Sequence, residues 1–493
     1  MMYKTTEKDK GWNIRWLLLS LILICAFGCK GEEKEDAMEE AYDPNKPIEV
    51  TDFFPKEGNV KTQLILYGSN FGTEPDSIRV TIGGKKAPVI SAKGDVVYCM
   101  VPRGAYEGTI KMTIGKQSIT VAEKFQYARS MAVSTLCGEV DEKGNYDIKD
   151  GTFDNCGGFA EPTWFSFDPK NPSILYLTQD NGKPMRIFDL KNQTVKTGQS
   201  TGSAGLGRMR TITWTLDGDT MIVANDDGSE NGTSNVFMTR KNNFKDAQIL
   251  SRGKQCNGSA IHPIDSALYY NCFAMGEVYR YDIQKWGVNH SEKKEFLFTI
   301  QDMNWEFYTI IHPTGNYAYF VVVNRHYILR ANYNKKRRRF DTPYVICGWP
   351  GAAGWDDKFG TNARLSTPYQ GVFVKNPTYV KEGKEDIYDF YFCDRNNHCI
   401  RILTPDGLVT TFAGRGSASL DGNPYGYIDG DLREEARFNQ PSALAYDEET
   451  NTFYVGDVNN HRIRTIKMEY TDKDTSGKGE ETEGGDGGDE SAK

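Results

Sequence analysis

Two stretches of this chain align without a gap: Phe390-Tyr391-Phe392-Cys393-Asp394-Arg395-Asn396-Asn397-His398-Cys399-Ile400-Arg401 and Phe453-Tyr454-Val455-Gly456-Asp457-Val458-Asn459-Asn460-His461-Arg462-Ile463-Arg464. The shared pattern is F-Y-x-x-D-x-N-N-H-x-I-R. Upstream of each lies a second match, Ala363-Arg364-Leu365-Ser366-Thr367-Pro368 against Ala436-Arg437-Phe438-Asn439-Gln440-Pro441, with an earlier echo in Phe159-Ala160-Glu161-Pro162. Asp150-Gly151 precedes that echo much as Asp429-Gly430 precedes the last copy. A recurring unit of this size cannot bury its apolar face alone, so its copies must pack on one another. That requirement narrows the fold more than any other feature.

Each copy reads as strand, turn, strand, hairpin, strand. Six such three-strand units fit: 163–190, 211–240, 259–282, 308–330, 369–403 and 442–468. Fourth strands are expected at 194–197, 247–250, 295–299, 344–347 and 408–413, which supplies five for six units. Met131-Ala132-Val133-Ser134-Thr135-Leu136-Cys137-Gly138 mirrors the 408–414 segment and can supply the sixth. Pairing it with the last unit would close a ring and remove an exposed edge. The segments resemble NHL repeats, and the resemblance implies a six-bladed β-propeller over residues 129–470.

Residues 46–128 read differently, as short strands punctuated by glycine with a hairpin signal at Gly83-Gly84. The run P-x-x-G, L-Y-G-S-N-F-G, V-P-x-G, F-x-Y resembles an IPT/TIG domain, which implies an immunoglobulin-like sandwich acting as a spacer or contact module. Gly68 and Gly72 are assigned to turns that need a permissive backbone. The chain is thus expected to be all-β.

Lys4, Lys8, Lys10 and Arg15 precede the apolar run 17–27, which ends at Phe27-Gly28-Cys29. A basic start and a short apolar core form a secretory signal, too short to span a bilayer. The segment resembles a bacterial lipoprotein signal over residues 1–28, with Cys29 the lipidated residue. The acidic run after Cys29 resembles the surface-export signal of Bacteroidetes-type lipoproteins, and residues 29–45 read as a flexible tether. The implied location is the outer membrane, lipid-anchored and surface-exposed. Net charge is −8, and loss of the signal's four basic and two acidic side chains makes it −10, which argues against nucleic-acid binding. Residues 471–493 are polar and acidic and read as a disordered tail.

Chemistry-bearing motifs are thin. Asp394, Asp457, His398, His461, Arg401 and Arg464 recur per repeat, which marks them as scaffold, the histidines and arginines bonding neighbouring blades. His262 and His312 sit in equivalent turns of different blades, too far apart for one zinc site. No metal, cofactor or catalytic residue is assigned. Cys393/Cys399 and Cys256/Cys272 are each open between a disulfide and free thiols. Lys335-Lys336-Arg337-Arg338-Arg339 is a solvated turn or, alternatively, a contact for anionic glycans.

Around the starts of the inner strands lie Trp164, Arg210, Asn257, Trp305, Glu306, Tyr308, Tyr369 and Gln370. Trp349 and Trp355 occupy the connection to the fifth unit, and Tyr425 and Tyr427 the next. Aromatic faces flanked by amides and charges suit sugars, whose C–H faces stack while hydroxyls hydrogen-bond. The first functional reading is a non-catalytic surface protein that binds glycan through Trp164, Arg210, Asn257, Trp305, Glu306, Tyr369, Trp349 and Trp355 for a polysaccharide-uptake system, with outer-membrane uptake proteins as partners. The alternatives are a hydrolase or lyase at the channel mouth and a protein-interaction scaffold.

Overall fold

The computed structural model describes residues 41–202, 206–416 and 418–469. The signal segment, Cys29, most of the tether and the acidic tail lie outside the described residues. The chain divides into two compact units, at Arg129/Ser130.

In the first unit, Ile78–Ile82 alternates buried Ile78, Val80 and Ile82 with outward Arg79 and Thr81, the period-2 signature of a half-buried strand. It pairs with Lys85–Ala87 across Gly83-Gly84 and with Ile110–Ile114, which pairs in turn with Gln117–Thr120. A second sheet orders Glu49–Phe54, Gln63–Ser69, Val96–Met100 and Val89–Ala92. Leu64, Leu66 and Val97 of one sheet and Val80, Ile110 and Met112 of the other belong to one buried cluster, a sandwich core. Gly72 has φ +73°, as its turn requires. Gly68 is different from the expectation: it lies within a strand, and a Cβ there would stand 1.8 Å from the Glu49 carbonyl oxygen. Close approach of two backbones, not a turn, demands that glycine.

Among the described residues the second unit holds six sheets. Their first strands are Pro162–Asp168, Met209–Trp214, Ser259–Ile261, Phe307–Ile311, Pro368–Lys375 and Pro441–Asp447. Each packs against the first strand of the next sheet, and the last packs against the first, so the six stand in a ring. Fourth strands are Thr194–Thr197, Gln248–Arg252, Glu295–Thr299, Tyr344–Gly348 and Val409–Gly414, each beyond the third strand of its own sheet. In the sixth sheet that place is taken by Met131–Cys137, antiparallel to Arg462–Met468, with Val133 opposite Ile466. Strands from opposite ends of the unit therefore share one sheet.

Inside the ring, Gln370 ties three inner strands together. Its Oε1 accepts from the Phe165 and Leu444 amides (2.8 and 2.9 Å), and its Nε2 donates to the Phe165 carbonyl (2.8 Å).

The sheets with legible repeats carry a further device. Arg186, Arg401 and Arg464 are fully buried on the third strands of sheets one, five and six. Each reaches an aspartate in the loop lining its sheet's outer edge: Asp150 (2.9 Å), Asp357 (2.7 Å) and Asp429 (2.5 Å). A fourth-strand threonine binds the same aspartate in each case, Thr197 (2.8 Å), Thr411 (2.9 Å) and Thr135 (3.1 Å). Arg401 and Arg464 also hold the buried Asp394 and Asp457 of their own repeats at 2.7 and 2.8 Å. The arginines thus fasten edge loops within their own sheets rather than crossing to a neighbour. The histidines do cross: His398 Nδ1 accepts from the Gln440 amide (3.2 Å), and His461 Nδ1 lies 2.9 Å from the Phe159 carbonyl.

Candidate functional site

The starts of the inner strands and the connections between sheets share one face of the ring, and two groups of side chains gather there. The first lies at the channel mouth. Arg210 is fully buried, donates to Asp180 at 2.5 Å and pairs with Glu306. Arg208 bridges Asp180 (2.8 Å) and Asp226 (2.6 Å). Arg395 reaches Glu161 (3.2 Å) and the Tyr369 hydroxyl (3.2 Å). Beside them Trp164, Tyr308 and Tyr369 pack as mutually tilted rings with centroid spacings of 5.3 and 5.4 Å.

Charge here is matched internally. Burial pushes the Asp180 carboxyl up, but hydrogen bonds from Arg208 and the charges of Arg210 and Arg208 outweigh it and bring it down to about 2. Burial holds Asp226 above its ordinary range, only partly offset by Arg210 and Arg208. Among the described residues every guanidinium at the mouth has a carboxylate, so the cluster there presents no spare cation. The Tyr308 hydroxyl and Arg210 Nε are buried without hydrogen-bond partners among the described residues.

The second group lies on the connections. Trp349 is 49% exposed, with the Arg364 guanidinium 5.1 Å from its ring centroid. Trp355 is 40% exposed, donates from Nε1 to Thr411 Oγ1 (3.0 Å) and carries Arg415 at 4.0 Å. Tyr427, two residues before Asp429 as Trp355 is before Asp357, shares a 2.9 Å hydrogen bond with Thr135 and carries Arg462 at 4.1 Å. Trp305 is 39% exposed with Arg325 at 5.8 Å, and Asp302 holds that arginine at 3.0 Å. Short links join these pairs: the Gly351 amide donates to the Arg325 carbonyl (2.9 Å), and a Cβ at Gly354 would lie 2.9 Å from that of Arg364.

The residues singled out from sequence thus separate into two kinds. Trp305, Trp349 and Trp355 are reachable from solvent. Trp164, Arg210, Asn257 and Tyr369 are buried, Asn257 bonding to Asn271 (2.9 Å), and Glu306 is spent largely on Arg210. Sequence reasoning passed over Arg364, Arg415 and Arg462. Arg462 fills a variable position of the repeat, and the aromatic residue each arginine covers is far away in sequence.

The remaining candidates are structural. His262 stacks on Tyr333 and His312 on Tyr317, each within its own buried cluster. Among the described residues no group of three or more His, Cys, Asp or Glu side chains is disposed to hold a metal ion. All eight described cysteines are free thiols. Cys393 faces Ile400 and Cys399 faces Asp394, so the pleat sends the two sulfurs to opposite sides. The thiols that meet are instead Cys137 and Cys156, in hydrogen-bond contact.

Comparison with known proteins agrees with this architecture. The IPT/TIG domain model matches residues 47–127 and the NHL repeat model residues 438–466. NHL repeat-containing protein 2 of Bos taurus is 31% identical over 119 residues, 24% of this chain and 14% of its own length, so the chain spans only a small part of that curated relative. A solved structure from Bacteroides thetaiotaomicron, described as an auxiliary nutrient binding protein, has 48% identity and a TM-score of 0.81, covering 87% of this chain and 100% of that one. A phosphatase candidate from the same organism has 40% identity and a TM-score of 0.81, covering 88% and 99%. An auxiliary nutrient binding protein from Bacteroides ovatus has 35% identity and a TM-score of 0.66, covering 87% and 100%. With its IPT/TIG domain and NHL-type propeller, and with such identities over the full length of these relatives, the chain belongs to the family of the Bacteroides auxiliary nutrient binding proteins.

Proposed function

We propose that the protein is a non-catalytic, lipid-anchored surface protein that binds glycan for a polysaccharide-uptake system. The observation that carries this reading is the row of exposed tryptophans, Trp305, Trp349 and Trp355, on the face where the sheets are connected. Such rings bury large apolar area at low entropy cost and suit the C–H face of a sugar. The names of the Bacteroides relatives, which speak of nutrient binding, support a role in uptake. The lipoprotein-like segment ending at Cys29 supports anchoring, and among the described residues no helix is long and apolar enough to cross a membrane. In this reading Trp164, Arg210, Asn257 and Tyr369 hold the face from beneath, and partners are the glycan and outer-membrane uptake proteins.

Affinity electrophoresis of the purified protein against a polysaccharide panel tests the reading. Retention without cleavage supports it, and alanine at Trp349 or Trp355 should weaken retention about tenfold, near the 1.4 kcal/mol of one aromatic contact. Unchanged retention in Trp305→Ala, Trp349→Ala and Trp355→Ala alike would remove this face from consideration. A second reading, an enzyme at the channel mouth, is favoured by the unpartnered Tyr308 hydroxyl beside Arg210 and by the phosphatase-candidate relative. Release of product from a bound polysaccharide or a phosphate ester would favour it over the first.

A further inference from the structure

Arginines on this face fall into two sorts. Arg208, Arg210 and Arg395 at the channel mouth, and Arg325 beside Trp305, all have carboxylate partners. Arg364, Arg415 and Arg462 have none among the described residues. Arg364 donates only to the Thr361 and Ala363 carbonyls (2.8 and 3.0 Å). Arg415 donates to the Asn397 carbonyl (3.0 Å), and its Nε is buried without a partner. Arg462 donates to the Asn460 and Val140 carbonyls (3.0 and 3.4 Å). These three cover exposed Trp349, Trp355 and Tyr427, the last ring shared with the carboxylate-paired Arg464 at 5.0 Å.

We infer that the glycan taken by this face is acidic, a polysaccharide bearing carboxylate or sulfate groups, with Arg364, Arg415 and Arg462 as the anion contacts and Trp349, Trp355 and Tyr427 as the stacking surfaces. The inference rests on the glycan-binding reading above. A neutral sugar laid on these rings would strip water from three unmatched guanidiniums and return only hydroxyl hydrogen bonds. A carboxylate or sulfate returns charge-assisted, bidentate bonds that match the guanidinium fork. Burial is the main cause that pushes the Arg415 guanidinium below its ordinary range, and Arg433 and Arg401 add to it, while Cys399 and the buried Asp394 offset only part. The whole chain carries −8, so a polyanion has no overall attraction to it, and retention must come from a local array. The other basic segment, Lys335 to Arg339, is a weaker candidate: Asp341 holds Arg337 there, and Arg339 lies 3.9 Å from Glu295.

The test uses the full chain in affinity gels and titrations with chondroitin sulfate, polygalacturonate and neutral amylopectin. The inference expects an acidic polymer to be retained at least tenfold more tightly than amylopectin, with retention falling as salt rises from about 50 to 500 mM, where screening shortens the Debye length severalfold. Arg364→Gln/Arg415→Gln should lose that preference at an unchanged melting temperature, and Arg462→Gln should add to the loss. Lys335→Gln/Lys336→Gln should not. Equal or tighter binding of amylopectin would overturn the inference while leaving the glycan reading intact, as would loss of acidic-polymer binding only in the lysine variant. Retention of no polysaccharide would overturn the glycan reading itself. Capture of phosphatidylglycerol vesicles in preference to both acidic polymers would overturn the acidic-glycan assignment in favour of a lipid surface.

Discussion

Sheets one, five and six differ from sheets two and four at a single register position. Opposite Leu177, Phe392 and Val455 the third strand places Arg186, Arg401 and Arg464. Opposite Val223 and Phe320 it places Val236 and Leu329. The former sheets spend the position on a buried cation that fastens an edge loop through aspartate and threonine. The latter spend it on apolar packing. The same ring therefore holds together by two kinds of energetics, and they fail in different ways: an apolar truncation leaves a void, whereas in sheets five and six loss of the arginine leaves the buried Asp394 or Asp457 without its partner.

The largest effect should come from breaking one ion pair. Arg464→Ala strands the fully buried Asp457 and should cost about 3–5 kcal/mol in denaturant unfolding. Adding Asp457→Asn should recover part of that loss; a double variant no better than the single would mean charge is not what the sheet depends on. Leu329→Ala, at the matching position of sheet four, should cost about 2–5 kcal/mol with no such rescue.

Next comes ring closure, which only the sixth sheet makes from both ends of the unit. Val133→Pro removes a ladder donor opposite Ile466 and should cost about 3 kcal/mol. Intact stability would show that Met131–Cys137 contributes little.

A pH effect is smaller and belongs to the repeat sheets. Burial and Arg415 bring the His398 imidazole down to about 4, against 6.5 for an unperturbed ring. Between those values the unfolded chain binds more protons, so stability present above pH 6.5 is lost as pH falls toward 4. For a partly exposed ring the loss should be about 1–2 kcal/mol. His398→Asn suits the positive φ of 57° and should flatten that pH dependence in denaturant titrations at pH 7 and pH 5. The smallest change, Thr411→Ala, removes hydrogen bonds to Asp357 and from Trp355 and should cost about 1 kcal/mol. An equal loss from Thr239→Ala in sheet two would erase the contrast.

Much of the strand pattern was legible because its causes are local. Thr194–Thr197 and Glu295–Thr299 fall where alternation and flanking turn residues put them, and the Gly83-Gly84 hairpin has both residues at positive φ. Gly68 was misread because its constraint, the Glu49 carbonyl, arrives from another strand. The candidate site was legible only in part. An exposed tryptophan and a core tryptophan look alike in a chain, and Trp164 proved to be core while Trp349 and Trp355 did not.

Sequence alone settled the two-part organisation, the repeat and most strand positions, since these follow from period-2 patterning and turn chemistry over a few residues. Tertiary structure decided which charges are matched. Thr135 meets Asp429 across 294 positions, and Arg415 reaches Trp355 while making no ion pair among the described residues. Electrostatic pairing and solvent exposure depend on distances through space between residues remote in the chain. No local pattern encodes them, and they distinguish an arginine that fastens an edge loop from one that lies on an exposed ring.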